Sequence, residues 1–165
     1  MRLLLFFVIT TLLIFSCTGN NLNEYTIFIE KVDSIERANK KTKILTDGWY
    51  QTSKNNKDFK RISEYGEIYY LDPRPVILTD NFESYGYYVN SDGDPGIKIQ
   101  LDKTGIREWK NTTERNIGLH LIFVLDNKII HSPLVNQPIT NGLTVFFFSK
   151  LTEKQLKKII NQVKK

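Results

Sequence analysis

Cys17 is the only cysteine in the chain, and its chemistry is the easiest to state. With no second thiol there is no internal disulfide and no CxxC metal or redox site, so Cys17 is left for modification. His120 and His131 are the only histidines. No HExxH pattern or cysteine partner accompanies them, so they are read as satisfied or exposed side chains, not as metal ligands. Asn90, Asp92 and Asp94 mimic the first half of a calcium loop, but Pro95 follows at once and the later glycine and bidentate glutamate are missing. The stretch therefore reads as a plain turn, and Asp92/Asp94 sit where tuned acid–base work is poorly supported. No GxSxG, SxxK or serine–histidine–acid arrangement is legible. No catalytic residue, metal or cofactor is expected. A hydrolase would need a cleft with at least two titratable groups in hydrogen-bond reach.

The element that positions Cys17 is the leader MRLLLFFVITTLLIFSC. Arg2 gives a basic start, residues 3–15 are almost wholly apolar, and Ser16 is small. That is the secretory signal pattern, and the apolar run falls short of the roughly 20 residues that a membrane span needs. The ending LIFSC resembles the lipobox of bacterial lipoproteins. The resemblance implies a signal peptide over residues 1–16 and lipid (palmitate and a diacylglycerol thioether) on Cys17. Several acyl chains anchor a protein stably where one does so only marginally. Residues 17–23 then read as a polar tether. No acidic residue follows Cys17 directly, which leans toward the outer membrane.

About 150 residues beyond the leader suit one domain of ordinary size. Net charge is +5 at pH 7. So modest and scattered an excess fits an anionic surface nearby and not a nucleic-acid partner.

Residues 24–72 read as a small β-rich N-terminal part. Residues 24–30 look like a strand start, Asp47-Gly48 a turn before Trp49-Tyr50, and residues 53–60 a polar loop. Residues 65–71 are aromatic and β-prone, and the prolines of Asp72-Pro73-Arg74-Pro75 suggest a boundary. Beyond it, residues 76–78 and 85–89 read as strands, with a helical turn near residues 80–84. The order from Ile97 is strand, helix, three strands, helix. Residues 97–101 alternate at period two, Asp102 or Thr104 caps a helix bearing Ile106, Trp109 and Thr113, and Asn116 and Gly118 stop it. Residues 119–125 are nearly all apolar, as a central strand should be. Asp126-Asn127 makes a hairpin turn, and Thr152 with Gln155 forms a capping box for the last helix. The fold class expected is α+β: a mostly antiparallel sheet with two helices packed on one face.

These residues also form an ordered pattern. Leu101-Asp102 and Gly105 open the first helix; Thr113, Asn116 and Gly118 close it. Phe123-Val124-Leu125-Asp126, Ser132-Pro133, Ile139 and Gly142 follow, then Thr152-Glu153 and Leu156. The pattern resembles the head subdomain of the first periplasmic domain of SecD and SecDF, here over residues 73–165. Asn127 stands where that family usually has glycine. The resemblance implies the fold and contact with unfolded polypeptide outside the membrane. It does not carry over proton-driven export, because no apolar span follows Cys17. The aromatics Trp49, Tyr50, Tyr85, Tyr87 and Tyr88 are candidates for a binding surface. The expectation is a non-enzymatic lipoprotein of the bacterial cell envelope. It would be held at the membrane by lipid on Cys17, face the periplasm, and bind a polypeptide or envelope complex in protein export. The alternative is a lipoprotein inhibitor or immunity factor that binds one toxin or enzyme.

Overall fold

In the computed structural model the described residues are 43–54, 56–163 and a helical piece at residues 30, 31 and 33–35. The chain forms two units, Met1–Ser34 and Ile35–Lys165. Of the first, only helical residues are described, where the Ser34 hydroxyl donates to the Lys31 carbonyl at 2.7 Å. Cys17, the leader, the tether and the strand expected at residues 24–29 lie outside the described residues.

The second unit contains nine strands and two α-helices among its described residues: β1 (Gly48–Gln51), β2 (Lys60–Ile62), β3 (Ile68–Tyr70), β4 (Ile77–Leu78), β5 (Phe82–Val89), β6 (Pro95–Leu101), α1 (Lys103–Arg115), β7 (Leu121–Leu125), β8 (Lys128–His131), β9 (Leu143–Phe147) and α2 (Glu153–Gln162). Three sheets result, with orders β4-β1-β7-β8, β2-β3 and β5-β6-β9, and every strand pairing is antiparallel. The fold is α+β, and from β6 onward its order is the one expected.

Local chemistry explains the boundaries. The Asp102 carboxylate accepts from the Gly105 amide at 2.8 Å and caps α1. At α2, Thr152 Oγ1 accepts from Gln155 N at 3.3 Å while Gln155 Oε1 accepts from Thr152 N at 2.8 Å, the reciprocal capping box. Asp126 and Asn127 have φ of 51° and 64°, the left-handed pair that a two-residue hairpin turn requires. The helical turn expected near residues 80–84 is shorter and earlier: a 3-10 turn spans Thr79–Asn81, and β5 begins at Phe82.

The main core lies between the two larger sheets. Trp49, Leu121, Phe123 and Leu125 from one meet Ile97, Ile99, Leu101 and Phe146 from the other, with Trp109 of α1 and Ile159 of α2 joining them. Both helices thus bury residues on the same side of the four-stranded sheet. The opposite side, Tyr50, Ile122 and Val124, is covered by Tyr69 and Leu71 from the β2–β3 region. β7 is buried at all five positions because both its faces are covered.

The boundary expected near residue 72 is corrected by this arrangement. β1 lies between β4 and β7 in one sheet, and residues 51–72 wrap back onto it, with Asp72 N donating to Gln51 O at 3.0 Å and Val76 N to Trp49 O at 2.7 Å. The prolines at 73 and 75 mark a turn around β1, not a junction between subdomains.

Asn127 does more than tolerate a left-handed turn. Its Oδ1 accepts from the Leu45 amide at 2.9 Å and from Arg61 Nη2. Arg61 is fully buried, and carbonyl oxygens of Lys43 and Lys60 also accept from it. Glycine suits the φ of this position, yet Asn127→Gly is expected to lower stability. It strips the oxygen from a buried cation and a backbone amide, at a cost of about 1–3 kcal/mol. Equilibrium urea unfolding measures it, and an unchanged midpoint would remove the strut role.

Candidate functional site

The aromatic residues expected to form one binding surface separate into two groups. Trp49 is 1% exposed and Tyr50 is fully buried. Because β1 is central and covered on both faces, each of these adjacent side chains faces a core, and neither can belong to a binding surface. Trp49 packs against Trp109 at 5.0 Å and Phe123 at 5.2 Å between ring centroids. The Tyr50 hydroxyl donates to Thr46 O at 2.7 Å, and burial pushes its pKa up to about 12.

Tyr85, Tyr87 and Tyr88 are on β5, an outer strand of the three-stranded sheet. Tyr85 pairs with Ile99 and Tyr87 with Ile97, so both start on the core-facing side of the sheet. They lie beyond the core margin and are 46% and 78% exposed, as is Val89 at 61%. Tyr87 meets Phe148 edge-on at 6.4 Å. Tyr88 is on the other face, where it packs on Phe147 at 6.2 Å. Phe148 on the Tyr87 face and Phe147 on the Tyr88 face, neither singled out in the sequence, therefore extend the aromatic surface of β5. Only the register across β6 and β9 joins them to β5.

The remaining polar candidates are held by local contacts. Asn90 Oδ1 accepts from the amides of Asp92 at 3.0 Å and Asp94 at 2.7 Å, while its Nδ2 donates to Asp94 Oδ2 at 3.0 Å. That is an Asx-type closure of the β5–β6 turn. His120 Nδ1 lies 2.7 Å from Ser132 O, with its ring edge-on to Tyr69. His131 is half-buried, its ring against those of Trp49 and Phe146 at 5.9 and 6.0 Å. Burial lowers its pKa to about 4, with the Lys150 charge adding to the effect. A shallow polar cleft between residues 72–76 and α1 is lined by Asp72, Arg74, Glu108 and Arg115 among others. Asp72 there is engaged by Arg74 N at 2.9 Å, and Glu108 by Arg107 Nε at 3.1 Å.

The ordered pattern seen in the sequence proves to be a set of joints. Thr113 Oγ1 donates to Trp109 O at 2.9 Å and accepts from Ile139 N at 2.9 Å, which ties α1 to the segment before β9. Asn116 Nδ2 donates to Thr112 O at 2.8 Å, and Gly118, at φ 79°, donates its amide to Val135 O at 2.8 Å. Asp102 and Gly105 form the α1 cap already described. These residues hold elements together, and none gathers into a reactive group.

A family model described as "SecDF, P1 head subdomain" matches residues 52–158. The chain belongs to the SecDF P1 head family. It is similar to the protein translocase subunit SecD of Acetobacter pasteurianus, 30% identical over 80 residues, which is 48% of this chain and 15% of that protein. It is also similar to SecD of Thermobaculum terrenum, 38% identical over 50 residues, which is 30% of this chain and 10% of that protein. The chain therefore spans less than a sixth of either relative. Two solved structures share the fold. One is a crystal structure of SecDF in a super-membrane-facing form, with TM-score 0.54 and 15% identity over 79% of this chain and 20% of that one. The other is described as a membrane component SecDF that enhances protein export, with TM-score 0.53 and 14% identity over 89% of this chain and 70% of that one. Among the described residues, no helix is long and apolar enough to cross a membrane.

Proposed function

We propose that this chain is a non-enzymatic, lipid-anchored protein of the bacterial cell envelope whose SecD-head-like domain binds polypeptide and assists protein export. The observation that carries the reading is the P1 head match over residues 52–158; the resemblance of residues 1–17, ending on Cys17, to a lipoprotein leader supports its membrane-anchored part. Palmitate and diacylglycerol on Cys17 hold the domain at the membrane after the signal peptide of residues 1–16 is removed. Residues 17–23 act as the tether, and the domain faces the periplasm, with the outer membrane favoured by the absence of an acidic residue after Cys17. Tyr85, Tyr87 and Tyr88 offer large, rigid contact area at low entropic cost, the kind of surface that suits apolar polypeptide segments.

Cross-linking of intact envelopes followed by capture of the chain tests this reading. Adducts with exported polypeptides, or with components of the export machinery, are the expected result. Recovery of the chain with no protein partner would overturn it, as would a single tight stoichiometric enzyme or toxin.

A further inference from the structure

We propose that the outer edge of β5 takes up an extended polypeptide as an added strand, and that Lys98 selects segments carrying an acidic residue. The proposal rests on the polypeptide-binding reading and gives it a place and a chemistry.

Among the described residues β5 pairs only with β6, so one row of backbone donors and acceptors along its eight residues faces outward. Proteins blunt such edges with charges, prolines, bulges or short strands. On β5 the irregularity falls between Phe82 and Ser84, beside Glu83, the strand's only charged residue. From Ser84 to Val89 there is no charge and no proline. An extended backbone complements this row, and strand addition is a recurring mode of peptide recognition. Along one face of the edge, the exposed Tyr85, Tyr87 and Val89 offer contact to apolar side chains of an incoming strand.

The other face carries the charge. Lys98 is opposite Gly86 in the β5–β6 ladder. A Cβ on Gly86 would lie 3.3 Å from Lys98 Cε and 3.9 Å from its Cγ. The lysine stem therefore lies across the glycine, and its ammonium is carried toward the open edge. Glycine at 86 leaves the space for this. Lys98 is exposed, and among the described residues no carboxylate pairs with it. A strand added beside β5 presents one residue opposite Gly86, and an Asp or Glu there meets the ammonium. A second copy of this chain does not fit that requirement. Pairing β5 with itself about Gly86 brings two Lys98 side chains onto the same face, and like charges across a ladder are unfavourable.

Titration of the full chain with short synthetic peptides tests this, read by amide chemical shifts. The peptides alternate valine and threonine around a central glutamate, around a central lysine, or around glutamate with alternate backbone amides methylated. The glutamate peptide is expected to bind about 3- to 10-fold tighter than the lysine peptide. Shifts should concentrate at residues 84–89, and Lys98→Glu should invert the preference. The methylated peptide should not bind. Equal affinities that ignore Lys98→Glu, or shifts away from β5, would overturn the assignment, as would dimerisation of the free chain through β5. Envelope adducts that avoid residues 84–89 overturn the edge assignment and leave the proposed function standing. A positive titration with no envelope adducts upholds the edge and removes only the function.

Discussion

Trp49→Ala is expected to remove about 3–5 kcal/mol of stability, the usual cost of deleting a buried tryptophan. The indole is 1% exposed and touches rings from four other elements: Trp109 of α1, Phe123 of β7, His131 of β8 and Phe146 of β9. No neighbour can collapse into the space, because those rings already pack on one another, with Phe123 and Phe146 4.7 Å apart. A domain of this size has roughly 5–15 kcal/mol in total, so the variant should sit close to the edge of folding. Trp49→Phe should cost far less. It keeps a ring in the cluster and deletes an indole N–H that is buried with no acceptor among the described residues. Urea unfolding followed by circular dichroism separates the cases. A Trp49→Ala midpoint equal to that of Trp49→Phe would contradict the packing described for β1.

Acid should weaken the fold through His131. The imidazole is half-buried against Trp49 and Phe146, and its pKa falls from 6.5 to about 4, by desolvation first and the Lys150 charge second. The unfolded chain takes up a proton near pH 6.5, whereas the folded chain resists it until about pH 4. The stabilisation from a neutral His131 is thus complete above pH 6.5 and is lost as pH falls from there toward 4, by about 2–3 kcal/mol in all. His131→Phe holds the ring contacts without the titration. Between pH 7.5 and 4.5 its stability should fall less than that of the parent, the difference reporting the histidine alone. Parallel pH profiles for the two proteins would rule out a desolvated, neutral His131.

Much of this fold was readable because its signals are local. The capping box at Thr152 and Gln155, the cap at Asp102, the Asp126-Asn127 turn and the all-apolar β7 each lie within a few adjacent residues. β1 shows where such reading fails. Alternation assumes that one face of a strand is wet, so of Trp49 and Tyr50 one should have been exposed. β1 is instead covered by the main core on one side and by Tyr69 and Leu71 on the other. β3 falls within the stretch 65–71 expected to be β-prone, but its partner β2 was missed, for a related reason. Lys60-Arg61-Ile62 looks like surface, but Arg61 is buried and held by oxygens from Lys43 and Asn127, 18 and 66 positions away. Burial lowers its pKa, and no short-range pattern announces such a site. Of the surface aromatics, the three on β5 were found and their partners Phe147 and Phe148 were not, since only the β5-β6-β9 order places them together. The recognisable motif residues Thr113, Asn116 and Gly118 turned out to be joints of the fold. Such residues identify the family and say little about a binding partner.

In the proposed function, lipid on Cys17 would hold a folded SecD-head-like domain at the membrane, where it would meet polypeptide. Membrane fractionation of cells producing the parent chain or Cys17→Ala, with metabolic palmitate labelling, is the decisive experiment. The parent should be labelled, membrane-bound and cross-linked to polypeptide. The Cys17→Ala chain should be unlabelled and released, still folded, and without those adducts. A Cys17→Ala chain that stays on the membrane with its adducts unchanged would contradict this proposal.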